Sequence, residues 1–211
     1  MKPAFKDRTA AGRSVAALLQ HYKGGKAIVL AIPAGGVPVA AEIARALGLE
    51  LQVIPVSKIL FRWTTEGGFG AVAFDGTVWI DQAAVDNFGL KPEQIEKATA
   101  DARAKVERRN ARLSRKKPLP DLHDFTGILV DDGIAAGSTI RTAIAALRKH
   151  GAGRIVVAVP TAHSRSVGAL RQLADEIVCP DIRGGMRFAV ADAYEEWRDL
   201  SDDEIEAMLK A

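Results

Sequence analysis

The stretch GILVDDGIAAGSTI, residues 127–140, runs from an apolar segment into two adjacent carboxylates, then through a small-residue loop into a helix-like segment. A short run that is apolar at every position reads as a strand covered on both faces. A loop turning from such a strand into a helix presents unpaired backbone N–H groups and the positive end of the helix dipole. Gly137 lets the backbone come close to an anion, and Ser138 and Thr139 add hydroxyl donors. Asp131 and Asp132 repel anions; they suit hydroxyl groups, which donate to them, or a hydrated Mg²⁺. A ligand with a phosphate at one end and a vicinal diol at the other satisfies both halves, and a ribose 5-phosphate is such a ligand. The stretch is not a Walker loop, because the lysine of GK[ST] is missing, and it is not the GxGxxG dinucleotide turn. The plainer alternative is a strand-end acid pair leading into a turn, with Ser138 as helix N-cap.

Working outward, further apolar runs stand at 27–32, 51–56, 154–160 and 176–179, and helical patterns at 10–21, 38–47, 138–150 and 164–174 separate them. The alternation predicts one α/β domain over 1–211, a doubly wound, mainly parallel five-stranded sheet with flanking helices. An insertion over 59–117 breaks the rhythm. Within it AVAFDGTVWI carries Asp75-Gly76 between alternating apolar runs, a hairpin signal. A long helix over 92–115 follows, with Ile95, Ala98, Ala102, Val106 and Leu113 on one stripe.

The 211 residues suffice for one substantial core. With 48% hydrophobic and 26% charged residues the composition is that of an ordinary globular enzyme, and a net charge of +3 permits polyanion binding without demanding it. The longest apolar runs are interrupted by Gly and Pro and fall short of a membrane span, and the charged N-terminus does not read as a signal peptide. Cys179, the single cysteine, excludes an intrachain disulfide and reads as an inert core thiol suited to a reducing compartment. A cytoplasmic protein without membrane attachment is expected.

ILVDDGIAAGST, residues 128–139, resembles the PRPP-binding signature of the type I phosphoribosyltransferases. FKDRTAAGRSVAALL at 5–19, LAIPAGGVPVAAEIARALG at 30–48, EGGFGAVAFDG at 66–76 and YEEWRDLSDDEI at 194–205 are similar to a bacterial branch of that family. The resemblance implies an Mg²⁺-dependent transfer of the 5-phosphoribosyl group from PRPP to an acceptor, with release of pyrophosphate. It implies that Asp131 and Asp132 hold the ribose hydroxyls and the metal's surroundings, and that Ala135, Ala136, Gly137, Ser138 and Thr139 wrap the 5-phosphate. Ala34, Gly35 and Gly36 match the pyrophosphate loop, where a cis non-proline peptide is often found. Lys58, at the end of the second strand, matches a basic residue near the pyrophosphate, with Arg62 as a further cation. The insertion after Lys58 matches a mobile loop that closes over PRPP, residues 180–211 match the C-terminal hood and tail, and the family is often dimeric.

Departures from the pattern concentrate at the anion sites. Ala34 stands where this branch has arginine, Ala136 where it has threonine, and Ser57-Lys58 where it has Arg-Lys. Each missing charge-assisted contact is worth about 1.5–3 kcal/mol. Ala135 replaces the aspartate of the hypoxanthine- and guanine-binding members, so an oxopurine acceptor is disfavoured. Two other functions therefore stay open: a non-catalytic PRPP or nucleotide sensor, and another phosphosugar enzyme on the same fold.

Other residues carry weaker signals. Arg103, Lys105, Arg108, Arg109, Arg112, Arg115, Lys116 and Lys117 form a basic run that reads first as a solvated helix face. A phosphate-facing or dimer-crossing role is the alternative, and nucleic acid is disfavoured because no aromatic residues interleave. Trp63 and Glu66 in the insertion could cover or protonate a substrate; Trp79 and Trp197 read as core or interface. His163, Met186 and Phe188 are candidates for the acceptor side.

Overall fold

The computed structural model describes residues 2–65, 67–114 and 119–210. In chain order its first half contains α1 (Arg8–Leu18), β1 (Ala27–Ala31), α2 (Gly36–Leu47), β2 (Glu50–Val53), β3 (Val56–Leu60), β4 (Gly68–Ala73), β5 (Val78–Ile80), α3 (Gln82–Phe88) and α4 (Pro92–Leu113). The second half contains β6 (Thr126–Val130), α5 (Ser138–Lys149), β7 (Arg154–Ala158), β8 (Thr161–His163), α6 (Ser164–Leu170), β9 (Glu176–Val178), β10 (Asp181–Arg183) and α7 (Asp202–Lys210).

The five apolar runs pair as a parallel sheet in the order β2-β1-β6-β7-β9. Side chains alternate between its faces, and both faces are covered, which is why these strands lack a polar side. Ile28, Leu30, Leu129, Ile155 and Val157 enter one core layer with Ile140 and Leu147 of α5. Val29, Ala31, Ile128, Val130 and Val156 enter the other, with Val37 and Ile43 of α2, Val15 of α1 and Leu19 just after it. Each fully buried large aliphatic side chain contributes about 1.5–3 kcal/mol. From β1 the chain turns outward to β2, and it later returns to β6 on the other side of β1. Between β1 and β6 the strand order therefore reverses, leaving a crevice at the carboxyl ends of the two strands where α/β sheets bind ligands.

The segment between β2 and α3 departs from its sequence reading. Val56–Leu60 is not the tail of the second strand but a separate strand, and β3, β4 and β5 form an antiparallel three-stranded sheet. The Asp75-Gly76 turn joins β4 and β5 as expected, with Thr77 donating through its backbone N and Oγ1 to the Asp75 carboxylate. Most of the predicted insertion is thus regular helix and sheet; between β3 and β4 the described residues 61–65 and 67 form its loop. Helix α4 lays Ala102 and Val106 on this sheet beside Phe69, Val72 and Val85, while Leu113 reaches the α1/α2 core layer. The apolar stripe read from the sequence is the buried face.

After β9, β10 pairs in parallel with β8, and α7 docks against α4 through ion pairs of Arg109 with Asp202 and of Arg112 with Asp203 and Glu206. Among the described residues no helix is long and apolar enough to cross a membrane.

Candidate functional site

Asp131 and Asp132 follow β6 directly, at the crevice between β6 and β1. Asp131 Oδ1 accepts the backbone N–H of Asp132 at 2.9 Å. Asp132 Oδ2 accepts from Arg8 Nε at 2.9 Å and lies 2.9 Å from Arg8 Nη2, so one guanidinium edge grips one carboxylate oxygen. Arg8 is held in turn. Its Nη1 donates to the Arg198 carbonyl at 2.9 Å, and its guanidinium lies 3.8 Å from the centre of the Trp197 ring. Tyr194 Oη donates to the Asp132 carbonyl at 2.6 Å.

These contacts divide the two acids. Burial first, then the neighbouring charge of Asp132, push Asp131 well above the ordinary carboxylate range. Burial also lifts Asp132, but Arg8 pulls it back down, both by charge and by hydrogen bonding. Both carboxyls thus hold a proton more readily than a free carboxyl does, as close acids taken out of water do. Two adjacent carboxyls, of which only Asp132 is paired with Arg8, fit a further cation or the hydroxyls of a diol.

On the β1 side the Pro33–Ala34 peptide is cis, as the pyrophosphate-loop resemblance leads one to expect. The following glycines are dictated by the acids. A Cβ on Gly35 would lie 1.8 Å from Asp132 Oδ2, and one on Gly36 would lie 2.7 Å from the Val130 carbonyl oxygen and 2.9 Å from Asp131 Cα. The 33–36 loop and the acid pair thus touch with no room for side chains. Ala34 packs on the α1/α2 core layer.

Beyond the acids, the 134–139 loop is pinned from outside. Ile134 N donates to the Thr161 carbonyl at 3.0 Å, the Ile134 carbonyl accepts from His163 N at 2.8 Å, and Ser166 Oγ donates to the Ala135 carbonyl. Gly137 has φ 83°, a left-handed conformation that favours glycine, and it precedes α5 as the N-cap. The N-cap reading of Ser138 is corrected here: Ser138 is the first helical residue, and no side chain caps the helix. Among the described residues the first N–H groups of α5 accordingly have no side-chain acceptor, as an anion cradle requires.

Lys58 belongs to β3, opposite Ala71, rather than to the second parallel strand. Its charge still reaches both carboxyls. Arg62 is exposed in the 61–67 loop, where Trp63, also exposed, stacks on Phe61. His163 Nε2 lies 2.9 Å from the Gly185 carbonyl oxygen, and its ring packs edge-on to Phe188, whereas Met186 is fully exposed. Cys179 is half-buried, and burial pushes its thiol up to about 11, so it is protonated and unreactive at neutral pH.

Of the basic run, Arg112 and Arg109 are taken by the acids of α7, and Arg109 Nη1 also donates to the Pro33 carbonyl at 3.1 Å. Glu66, Arg115, Lys116 and Lys117 lie outside the described residues. Sequence reasoning missed Arg8 and Tyr194 as neighbours of the site, and it named Arg109 only within the basic run, for which a phosphate-facing role was the alternative. Arg8 and Tyr194 stand in the segments 5–19 and 194–205 already matched to the family, but their contacts with Asp132 span 124 and 62 positions, beyond any local pattern.

At the strand ends of the parallel sheet an acid pair, a glycine loop and the N-terminus of α5 thus meet in the crevice where sheets of this class bind ligands. Residues 80–193 match the phosphoribosyl transferase domain. The chain belongs to the phosphoribosyltransferase family, of type I in fold. It is 35% identical over 205 residues, 97% of its length, to the Mycobacterium tuberculosis H37Rv protein named "Putative phosphoribosyl transferase Rv0571c", and it spans 46% of that relative's length. The crystal structure of TT1426 from Thermus thermophilus is 32% identical, with a TM-score of 0.76 covering 99% of this chain and 98% of that one. A hypothetical protein from Neisseria gonorrhoeae, solved with bound ppGpp, shares the fold at 13% identity and a TM-score of 0.54, covering 100% of this chain and 97% of that one.

Proposed function

We propose that the protein transfers the 5-phosphoribosyl group of PRPP to a small acceptor in an Mg²⁺-dependent reaction that releases pyrophosphate. The observation that carries this reading is the junction of three parts at one crevice: the unequal pair Asp131 and Asp132, the uncapped start of α5, and the side-chain-free loop at Gly35 and Gly36. In this reading the 5-phosphate accepts from the N–H groups of 135–139 and from Ser138 and Thr139. The ribose 2- and 3-hydroxyls donate to the acid pair, and the leaving pyrophosphate faces the 33–36 loop and Lys58.

The acid pair also fits a divalent cation. Mg²⁺ is commonly held by one or two carboxylates together with substrate oxygens, so no larger ligand cluster is required. When bound, Mg²⁺ neutralises the leaving group. The chain's own part is to orient the ribose through Asp131 and Asp132, to stabilise growing charge with backbone N–H groups, and to exclude water when the 61–67 loop closes. The acceptor would meet C1 from the side of His163 and Phe188, and Ala135 offers it no charged partner. Assembly as a homodimer in the cytoplasm belongs to the same proposal.

A second reading, a PRPP or nucleotide sensor without turnover, is favoured by Ala34 and Ala136, which remove a guanidinium and a hydroxyl from the anion sites. The deciding experiment measures pyrophosphate release from PRPP and Mg²⁺ over a panel of nucleobases and small acids. Release that depends on one acceptor supports the transferase. Binding of PRPP without release over the whole panel supports the sensor, and absence of any melting-temperature shift at millimolar PRPP with Mg²⁺ would remove both.

A further inference from the structure

Arg8 is the first residue of α1, and its guanidinium is buried with each of its nitrogens committed. Nε and Nη2 both meet Asp132 Oδ2 at 2.9 Å, and Nη1 donates to the Arg198 carbonyl. An arginine fork commonly spans both oxygens of a carboxylate. Here it converges on Oδ2 and leaves Oδ1 outside its grip. Gly35 closes the same side, since a Cβ there would come within 1.8 Å of Oδ2 but 3.1 Å of Oδ1. Tyr194 Oη fixes the backbone of Asp132 through its carbonyl.

The seat of Arg8 comes from a distant segment. Glu195 N and Glu196 N donate to the Phe5 and Lys6 carbonyls at 2.9 and 2.8 Å, and the Trp197 ring then covers the guanidinium. A buried ion pair is a weak means of stabilising a fold, because apolar residues of similar volume often serve as well. What this one supplies is a fixed direction for one carboxylate. It also offsets one of the two acid charges, so hydroxyls are accepted with less repulsion of the phosphate that accompanies them.

We propose that Arg8 is a positioning residue that presents Asp132 Oδ1 to one ribose hydroxyl, and so sets a preference of the site for ribose over deoxyribose phosphates. This rests on the PRPP reading of the crevice and goes beyond it, because sugar selectivity then depends on a clasp built by segments 5–8 and 194–198. A lysine cannot replace the arginine fully: it brings the charge on a flexible stem, without the planar fork that orients the acid.

Titration calorimetry with ribose 5-phosphate, 2-deoxyribose 5-phosphate, 3-deoxyribose 5-phosphate and inorganic phosphate, all with Mg²⁺, tests the assignment. The parent protein is expected to prefer ribose 5-phosphate about tenfold or more over each deoxy sugar, the scale of one lost hydrogen bond to a carboxylate. Asp132→Asn identifies which of the two preferences Asp132 carries. Arg8→Lys should lower that same preference to about threefold or less, keep the other, and bind inorganic phosphate within about twofold of the parent. A merely structural role would weaken all four ligands together. Trp197→Leu should act in the same direction as Arg8→Lys, and Trp197→Phe, which keeps a ring over the guanidinium, should retain the parent's selectivity. Arg13→Gln, an exposed arginine of the same helix, should change nothing. If Arg8→Lys does not fold, the two Trp197 variants make the same comparison.

Arg8→Lys with both preferences intact, or with sugars and phosphate weakened alike, overturns the role of Arg8. Trp197→Leu with unaltered selectivity overturns the seat built by 194–198. A parent that prefers ribose 5-phosphate while Asp132→Asn changes neither preference overturns this inference alone. A parent that binds phosphate but shows no preference among the sugars overturns the PRPP reading of the acid pair as well.

Discussion

Asp131 bears a cost that its neighbours define. Its folded-state pKa lies above the unfolded value because it is buried against Asp132. Between those two values the folded chain binds more protons than the unfolded chain, so stability falls as pH rises through the window. Below the ordinary carboxylate range both states are protonated and the penalty is absent. Asp131→Asn is therefore expected to raise the melting temperature at neutral pH without added metal, with a gain that fades in acid, while weakening PRPP binding strongly. At this chain length each kcal/mol of relief corresponds to about 2–4 °C. Equal melting temperatures for parent and variant across that range would show that the two acids are not in conflict. Arg8 has the opposite sign. Arg8→Met strands Asp132 without a counter-charge and should cost about 3–5 kcal/mol, the range for breaking a buried pair. Adding Asp132→Asn in the same chain should recover most of the loss. Denaturant titration of the four proteins of this cycle gives the coupling directly.

At the scale of elements, the 33–36 loop and the end of β6 are fitted to one another more tightly than either is to solvent. A methyl group on Gly35 cannot displace Asp132 cheaply, because Arg8 fixes the carboxylate that it would strike. Gly35→Ala should thus destabilise the fold by about 1–3 kcal/mol, as overpacking does, and reduce PRPP affinity through the displaced acid. Chemical denaturation and calorimetry on the same variant check both parts; a neutral effect on each would mean that the loop and acids are free to separate. The surface pairs joining α4 and α7 should behave differently. Arg112 is exposed, and Arg112→Ala is expected to change stability by less than about 1 kcal/mol. A larger loss on denaturation would mark α7 as part of the cooperative core.

Across the whole molecule, both ends of the described chain converge on the site. Ala4 and Phe5 donate through their N–H groups to the Ala193 carbonyl, Phe5 bridges Tyr194, and Arg8 and Tyr194 together hold Asp132. The central strands β1, β6 and β7, buried on both faces, should show the slowest amide exchange, and the 61–67 loop the fastest of the segments around the crevice. If that loop closes over substrate, PRPP with Mg²⁺ should protect its amides while leaving the central strands unchanged. Exchange that is identical with and without ligand would remove closure from the proposed mechanism.

The parallel sheet, its flanking helices and the 127–140 stretch were legible from residues alone because each is a local pattern. A run of Val and Ile buried on both faces, or a glycine between acids and a helix, carries its meaning within a dozen positions. The buried stripe of α4 and the Asp75-Gly76 turn were legible for the same reason. Val56–Leu60 was not, because a short apolar run does not state which sheet it joins; pairing with β4 decided that. The division of labour between Asp131 and Asp132 was likewise decided only in three dimensions. Adjacent in sequence, they are equivalent until folding takes both out of water and brings Arg8 against Asp132 alone from 124 positions away. The basic run of α4 was sorted in the same way, Arg109 and Arg112 being paired with the acids of α7. Composition and spacing specify which charges exist; their environments, and hence their chemistry, depend on long-range packing that no local window contains.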